Sequence, residues 1–274
     1  MVAPDMDKVV SLMRDVAEEE IRPRFRCLQE GEIRRKDAGG LVTIADTESE
    51  RRLGDALTSL LPGSVVLGEE AAEGDPAAYD CLSGDAPVWI VDPLDGTSNF
   101  ASGKPDYVVI VALAVEGETR AGAILVPETG ASIVAEQGEG AWSEGRRVCS
   151  DDAELPELSA MRGSLGRRLR ERDGIDEIFE RVNTAGCCGI EYLRIATGEL
   201  HFAHYRGLKP WDHAAGDLIV REAGGRVCYI DGSPYRPGES HRYGLLSACG
   251  DECWHSVLGV LRPSIENLPS LKPQ

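Results

Sequence analysis

The sequence predicts a mixed chain, α+β in its first half and α/β in its second. Two observations carry this. Apolar runs near 88–92, 107–115, 121–126 and 131–135 follow one another across short turns. Connections that short join antiparallel strands. Beyond residue 158 strands and helices alternate instead, which builds a layered α/β unit. A third observation sets the scale. With 274 residues and 42% hydrophobic content, the chain can bury a large core in one domain or two close-packed ones. The halves are assigned as 1–150 and 151–274, with segment 149–158 as the connector.

In chain order, Val9, Leu12, Met13, Val16, Ile21, Phe25 and Leu28 recur at helical spacing. They predict an amphipathic helix over 5–30, kinked before Pro23. A charged, Gly-rich connector with Lys36, Gly39 and Gly40 follows. Asp46 or Thr47 is expected to open a second helix, stopped near Leu61 by Pro62-Gly63. Val65-Val66-Leu67 reads as a short strand delivering Glu69, and 71–87 as a surface loop. In the second half the expected order is strand 158–163, helix 173–183, strand 184–188, helix 189–197, strand 199–204, helix 212–223 and strand 226–230. No repeat of ~20–50 residues is visible.

Val88 to Phe100, VWIVDPLDGTSNF, carries the most chemistry. A buried-strand pattern ends in Asp92 and Asp95, with Pro93 between them and Gly96, Thr97 and Ser98 behind. Pro93 and Gly96 are expected to stop the strand in a tight turn. Two carboxylates, a hydroxyl and free backbone N–H groups then share one strand end. Carboxylates suit hard cations such as Mg²⁺, and turn N–H groups suit phosphate. A lone Asp-Gly would be an ordinary turn. The second Asp, the Pro, the Thr and a partner motif downstream set this one apart.

The formal net charge is −18, which disfavours nucleic acid or an anionic membrane as partner. Cations would reconcile it with phosphate binding. No stretch approaches the ~18 apolar residues of a membrane span. The first twenty residues lack a basic start and an apolar run, so no secretion signal is expected. Eight scattered cysteines without a Cys-x-x-Cys pair argue against a zinc site and for reduced thiols in a cytoplasmic protein. Cys228 is expected to be a small core residue, and Cys249 and Cys253 could pair across a turn.

Asp92-Pro93-Leu94-Asp95-Gly96-Thr97-Ser98-Asn99-Phe100 resembles the first motif of the inositol monophosphatase family. Trp211-Asp212-His213-Ala214-Ala215-Gly216 is similar to its second motif, and Glu222-Ala223-Gly224-Gly225 follows it as in that family. Leu67-Gly68-Glu69-Glu70 and Leu41-Val42-Thr43-Ile44-Ala45-Asp46 match two further segments. Order and spacing agree from about residue 5 to about residue 260.

The resemblance implies a layered αβαβα sandwich of the inositol monophosphatase and fructose-1,6-bisphosphatase type. It implies a Mg²⁺-dependent, lithium-sensitive phosphomonoesterase that acts on a small soluble alcohol phosphate, works as a homodimer and uses two or three Mg²⁺ ions, with Mn²⁺ able to substitute. Glu69, Asp92 and the Leu94 carbonyl would hold the first ion. Asp92, Asp95 and Asp212 would hold the second, and a third would use Glu69 through water. Thr97 and Asp46 would position and help deprotonate the attacking water, with Glu69 also in the catalytic set. Gly96, Thr97 and Ser98 would face the phosphate. Glu70 competes with Glu69 for its role, and Asp46 and Asp212 could instead be plain helix caps. Trp211 is expected to pack and fix Asp212, His213 to support it, and His201 and His204 to diverge.

Members acting on inositol phosphate usually place a Glu seven residues before the second-motif Asp. Here Tyr205 stands there, followed by Arg206. Tyr205 would offer a stacking face and Arg206 a partner for a second anionic group. The metal site therefore reads as intact and the recognition wall as altered. Fructose bisphosphate, nucleotide bisphosphates, NADP and histidinol phosphate stay open as substrates, as does a regulatory binding protein that keeps the fold.

Overall fold

A computed structural model describes residues 4–36, 39–150 and 155–268. Its first sheet has seven strands: β3 (Val65–Gly68), β4 (Val88–Asp95), β5 (Val108–Val115), β6 (Glu118–Leu125), β7 (Ser132–Glu136), β8 (Gly140–Ser143) and β9 (Arg146–Val148), in that spatial order. β3 runs parallel to β4, and every later pair is antiparallel. A small hairpin of β1 (Ile33–Arg35) and β2 (Leu41–Thr43) precedes it. The second sheet places β11 (Arg181–Val182), β10 (Arg162–Leu165), β12 (Phe202–Tyr205), β14 (Leu245–Ala248) and β13 (Arg226–Tyr229) side by side.

Helices separate and cover the sheets. α1 (Met6–Val16) and α2 (Ile44–Leu60) pack on one face of the large sheet. α6 (Cys188–Ala196) and α7 (Pro210–Glu222) lie between the two sheets, and α8 (Asp251–Glu266) covers the far face of the second. The layer order is therefore αβαβα, as the resemblance implies. β4 shows why the layers hold. All eight of its residues are buried. Trp89 and Val91 join the core under α1 and α2, while Val88 and Ile90 join the core around α7. The two-residue period of a strand sends alternate side chains to opposite faces, so a continuous apolar run suits a sheet covered on both sides.

Local chemistry moves several boundaries. The first helix is regular only to Val16 and continues as a wide turn over Ala17–Ile21 and a tight one over Arg22–Arg24. Phe25 is then extended and its ring packs on Phe100 and Tyr107 at 5.6 and 5.0 Å. Tertiary docking thus overrides the helical spacing out to Leu28. α2 is capped by Thr43, with Asp46 as the returning carboxylate of a capping box, so Asp46 and Thr47 do not open it. β4 does not stop at Pro93. It passes through a register shift between Asp92 and Asp95, where a residue without an N–H is tolerated.

The expected helix 173–183 is absent. Two short turns, α4 (Arg167–Arg170) and α5 (Ile175–Ile178), flank Gly174 at φ +72°, and β11 follows. The expected strand 184–188 is a loop that ends at Cys187, the residue before α6. Of the connector 149–158, residues 151–154 lie outside the described ones. Cys228 is half-buried rather than core. No disulfide joins Cys249 to Cys253 or links any of the other six cysteines.

Gly216 is where α7 meets α6. A Cβ there would overlap the Tyr192 ring. Gly216→Ala is therefore expected to destabilise the fold by about 1–3 kcal/mol through overpacking. Urea unfolding checks this, and an unchanged midpoint would contradict the close approach.

Candidate active site

The strand end and two helix starts converge. Gly96 adopts φ +91° and leads into α3 (Thr97–Ala101). A Cβ on Gly96 would meet the Asp106 carbonyl at 2.8 Å, so this turn takes glycine. The bulge and turn aim Asp92 and Asp95 to the same side. Asp212 comes from the first turn of α7, whose start at Pro210 makes it a helical residue rather than the cap. One carboxylate oxygen from each of Asp92, Asp95 and Asp212 lies within 4.8 Å of the others.

Each carboxylate is held by its neighbours. The Leu94 N–H donates to Asp92 Oδ1 at 3.0 Å. Asp95 Oδ2 accepts from the Gly189 N–H at 2.6 Å and from the Cys187 thiol at 3.2 Å. Asp46 Oδ2 accepts from the Thr43 N–H at 2.8 Å, and its Oδ1 accepts from the Thr97 hydroxyl at 3.0 Å. The Thr97 hydroxyl also lies 3.1 Å from the Leu94 carbonyl. Asp46 thus serves as a cap partner and as the partner of Thr97 at once.

The electrostatics are those of a site short of positive charge. Burial raises Asp92 well above the usual carboxylate range, and Glu69, Asp95 and Asp212 add to the rise. Burial lifts Asp95 to about 7 against its hydrogen bonds. Asp212 is pushed up by burial, Asp95 and Glu69, and Asp46 by burial to about 6. Grouped carboxylates of this kind favour a cation or a proton. The convergent donors are carboxylate oxygens, the hard donors that Mg²⁺ takes, so Asp92, Asp95 and Asp212 could hold a divalent ion.

Glu69 stands just beyond β3, with Glu70 beside it. Lys36 reaches both, 2.8 Å from Glu69 Oε1 and 2.7 Å from Glu70 Oε1. Burial opposes the Lys36 charge, but the two glutamates outweigh it and raise its pKa. Burial raises Glu70 to about 8. Glu50 holds the turn by accepting from the Glu70 and Ala71 N–H groups at 2.7 and 2.8 Å. Sequence reasoning missed Lys36, Glu50 and the Cys187 and Gly189 donors. Their contacts span 20 residues or more of chain, and no local pattern marks them.

The recognition wall differs from expectation. Tyr205 is buried, with its ring 5.1 Å from Tyr192 and 4.9 Å from His213. Tyr205 thus packs against two of the protein's own rings, where a substrate was expected to stack. Arg206 is half-buried, and burial and Arg168 lower its pKa. Trp211 packs on Tyr79 at 5.9 Å, with the Lys209 ammonium 5.7 Å from the Trp211 ring centre. Ser98 is exposed and Gly96 and Thr97 are half-buried, so that edge opens outward. His201 and His204 hold separate partners, the Arg162 N–H at 2.8 Å and the Tyr243 carbonyl at 2.8 Å.

A five-layered sandwich with a carboxylate cluster at the end of a bulged strand defines a class of metal-dependent phosphatases. The chain belongs to the inositol monophosphatase family, whose model matches residues 5–256. It is 35% identical over 198 residues to an inositol-1-monophosphatase SuhB of Mycobacterium tuberculosis, covering 68% of this chain and 67% of that one. It is 29% identical over 252 residues to a Nus factor SuhB of Pseudomonas aeruginosa, covering 88% and 89%. The fold is shared with a Thermotoga maritima inositol monophosphatase at a TM-score of 0.80 and 24% identity, over 95% of this chain and 98% of the other.

Proposed function

We propose that the protein is a Mg²⁺-dependent phosphomonoesterase acting on a small alcohol phosphate of the inositol 1-phosphate kind. One observation carries the reading: Asp92, Asp95 and Asp212 converge within 4.8 Å. Glu69, Asp92 and the Leu94 carbonyl would hold one ion, and Asp92, Asp95 and Asp212 another. A third would use Glu69 through water. When bound, the ions supply Lewis acidity and lower the pKa of water. The N–H groups of Gly96 and Ser98 would hold phosphate oxygens, and Arg206 would meet any second anionic group.

Thr97 and Asp46 supply the proton acceptor. A water hydrogen-bonded to Thr97 Oγ1 can pass a proton through that hydroxyl to Asp46 Oδ1, 3.0 Å away. At a pKa of about 6, Asp46 is mostly ionised at neutral pH and close to the optimum for a general base. The base works only when deprotonated. Turnover is therefore expected to fall as pH drops through about 6 and to level off above about 7. A pH profile of kcat checks this, and a flat profile across that window would contradict the role of Asp46.

The substrate is tested by phosphate release from inositol 1-phosphate, fructose 1,6-bisphosphate, a nucleotide bisphosphate, NADP and histidinol phosphate, with and without Mg²⁺. Preference for inositol 1-phosphate supports the reading, and preference for another ester replaces the substrate but not the chemistry. The relative named a Nus factor favours a second reading, a binding protein that keeps the fold. Release from none of these esters would support it. The reading places the protein in the cytoplasm as a homodimer, and sedimentation would test the second of these.

A further inference from the structure

A second donor group shares Asp212 with the carboxylate cluster but has a different chemistry. The Cys188 thiol, an Asp212 carboxylate oxygen and a His213 ring nitrogen lie within 4.8 Å of one another. We propose that Cys188, Asp212 and His213 form an inhibitory site for Zn²⁺ and similar thiophilic ions. Mixed sulfur, nitrogen and oxygen donors suit Zn²⁺, whereas Mg²⁺ takes oxygen alone. This goes beyond the phosphatase reading, because the binding of Zn²⁺ itself does not depend on turnover.

The geometry is prepared by the packing of two helices. Cys188 opens α6, and Asp212 and His213 lie in the first turn of α7. Gly216 lets the Tyr192 ring of α6 come against α7. The Tyr192 hydroxyl then meets His213 Nδ1 at 2.9 Å, fastening the helices at the level of the site. His213 Nε2 lies 2.7 Å from the Gly207 carbonyl. A carbonyl only accepts, so Nε2 carries the proton and Nδ1 presents its lone pair. A metal-ligating histidine is commonly oriented in this way, with its other nitrogen donating to a backbone carbonyl.

Bonds of ~2.0–2.3 Å to a tetrahedral Zn²⁺ put its ligand atoms roughly 3.3–3.8 Å apart. The three donors need to contract by at most about 1.5 Å on that geometry. Binding releases the Cys188 proton to solvent, because the thiolate is the ligand. It also displaces the Tyr192 hydroxyl from Nδ1, and water fills the fourth position. Zn²⁺ held this way draws Asp212 away from Asp92 and Asp95, so it would oppose Mg²⁺ without entering the Mg²⁺ positions.

The test uses the full chain and a spectroscopic probe. Co²⁺ bound through a thiolate gives a sulfur-to-metal charge-transfer band in the near ultraviolet. The native protein is expected to show this band at one equivalent of Co²⁺ and to lose it when Zn²⁺ is added. Cys188→Ser is expected to abolish the band and weaken Zn²⁺ binding roughly 100-fold, while Cys149→Ser, at an exposed thiol, leaves both unchanged. Zn²⁺ inhibition of phosphate release in saturating Mg²⁺ should disappear with the band. A native protein without the band, or a Cys188→Ser variant that keeps it, would overturn the proposal.

Discussion

Asp92→Asn is expected to lower Mg²⁺-dependent turnover by at least ~10³-fold, the scale of losing a principal electrostatic group. Asp92 is 1% exposed and is the carboxylate assigned to both ion positions. Asn keeps the shape and can still accept the Leu94 N–H, so the change removes charge rather than packing. The stability signature has the opposite sign. The folded pKa of Asp92 is raised. Its ionised form therefore opposes folding at neutral pH, and that opposition fades as pH falls below its folded value. Without metal, the variant should be at least as stable as the native protein at pH ~7. With Mg²⁺ at ~100 times its Kd, the native protein should gain about 2.7 kcal/mol and the variant almost none. Calorimetric unfolding and steady-state assays check both. A variant that keeps its turnover and its Mg²⁺ stabilisation would remove Asp92 from the site.

The second large effect belongs to Thr97 and Asp46. Thr97→Ala and Asp46→Asn should each cost about 10²–10⁴-fold in kcat, the usual contribution of general base catalysis. Because one hydroxyl and one carboxylate make a single path for the proton, the double variant should be little worse than either single one. Thr97→Ser keeps the hydroxyl and should stay within about fivefold of the native protein. Asp46→Asn should also weaken the cap of α2 by roughly 1 kcal/mol, which urea unfolding separates from the kinetic loss. Additive losses in the double variant, or a nearly unaffected Thr97→Ala, would mean that the two residues do not act as a pair.

What could be read from the chain follows from how local each signal is. The buried strand ending at Asp92 and Asp95 combines β-branched residues, a proline and a glycine within one short segment, so its strand end was plain. Its passage through Pro93 to Asp95 was not, because a bulge depends on the partner strand. Helix α8 had a readable spacing in Trp254, Val257, Leu258, Leu261 and Ile265, yet it lay past the last motif and went unassigned. The helix expected at 173–183 failed at Gly174, whose positive φ sets a turn. Tyr205 shows the limit most clearly. Its position against the motif was readable, but its burial against Tyr192 and His213 depends on how α6 and α7 pack.

The most direct measurement is phosphate release by the purified native chain from inositol 1-phosphate, first in Mg²⁺, then after chelation, then with Mg²⁺ restored. The account predicts steady release, its loss on chelation, and full recovery when the ion returns. Release that continues unchanged in chelator, or none in Mg²⁺ from this or any other phosphate monoester, would contradict a Mg²⁺-dependent phosphatase built on Asp92, Asp95 and Asp212.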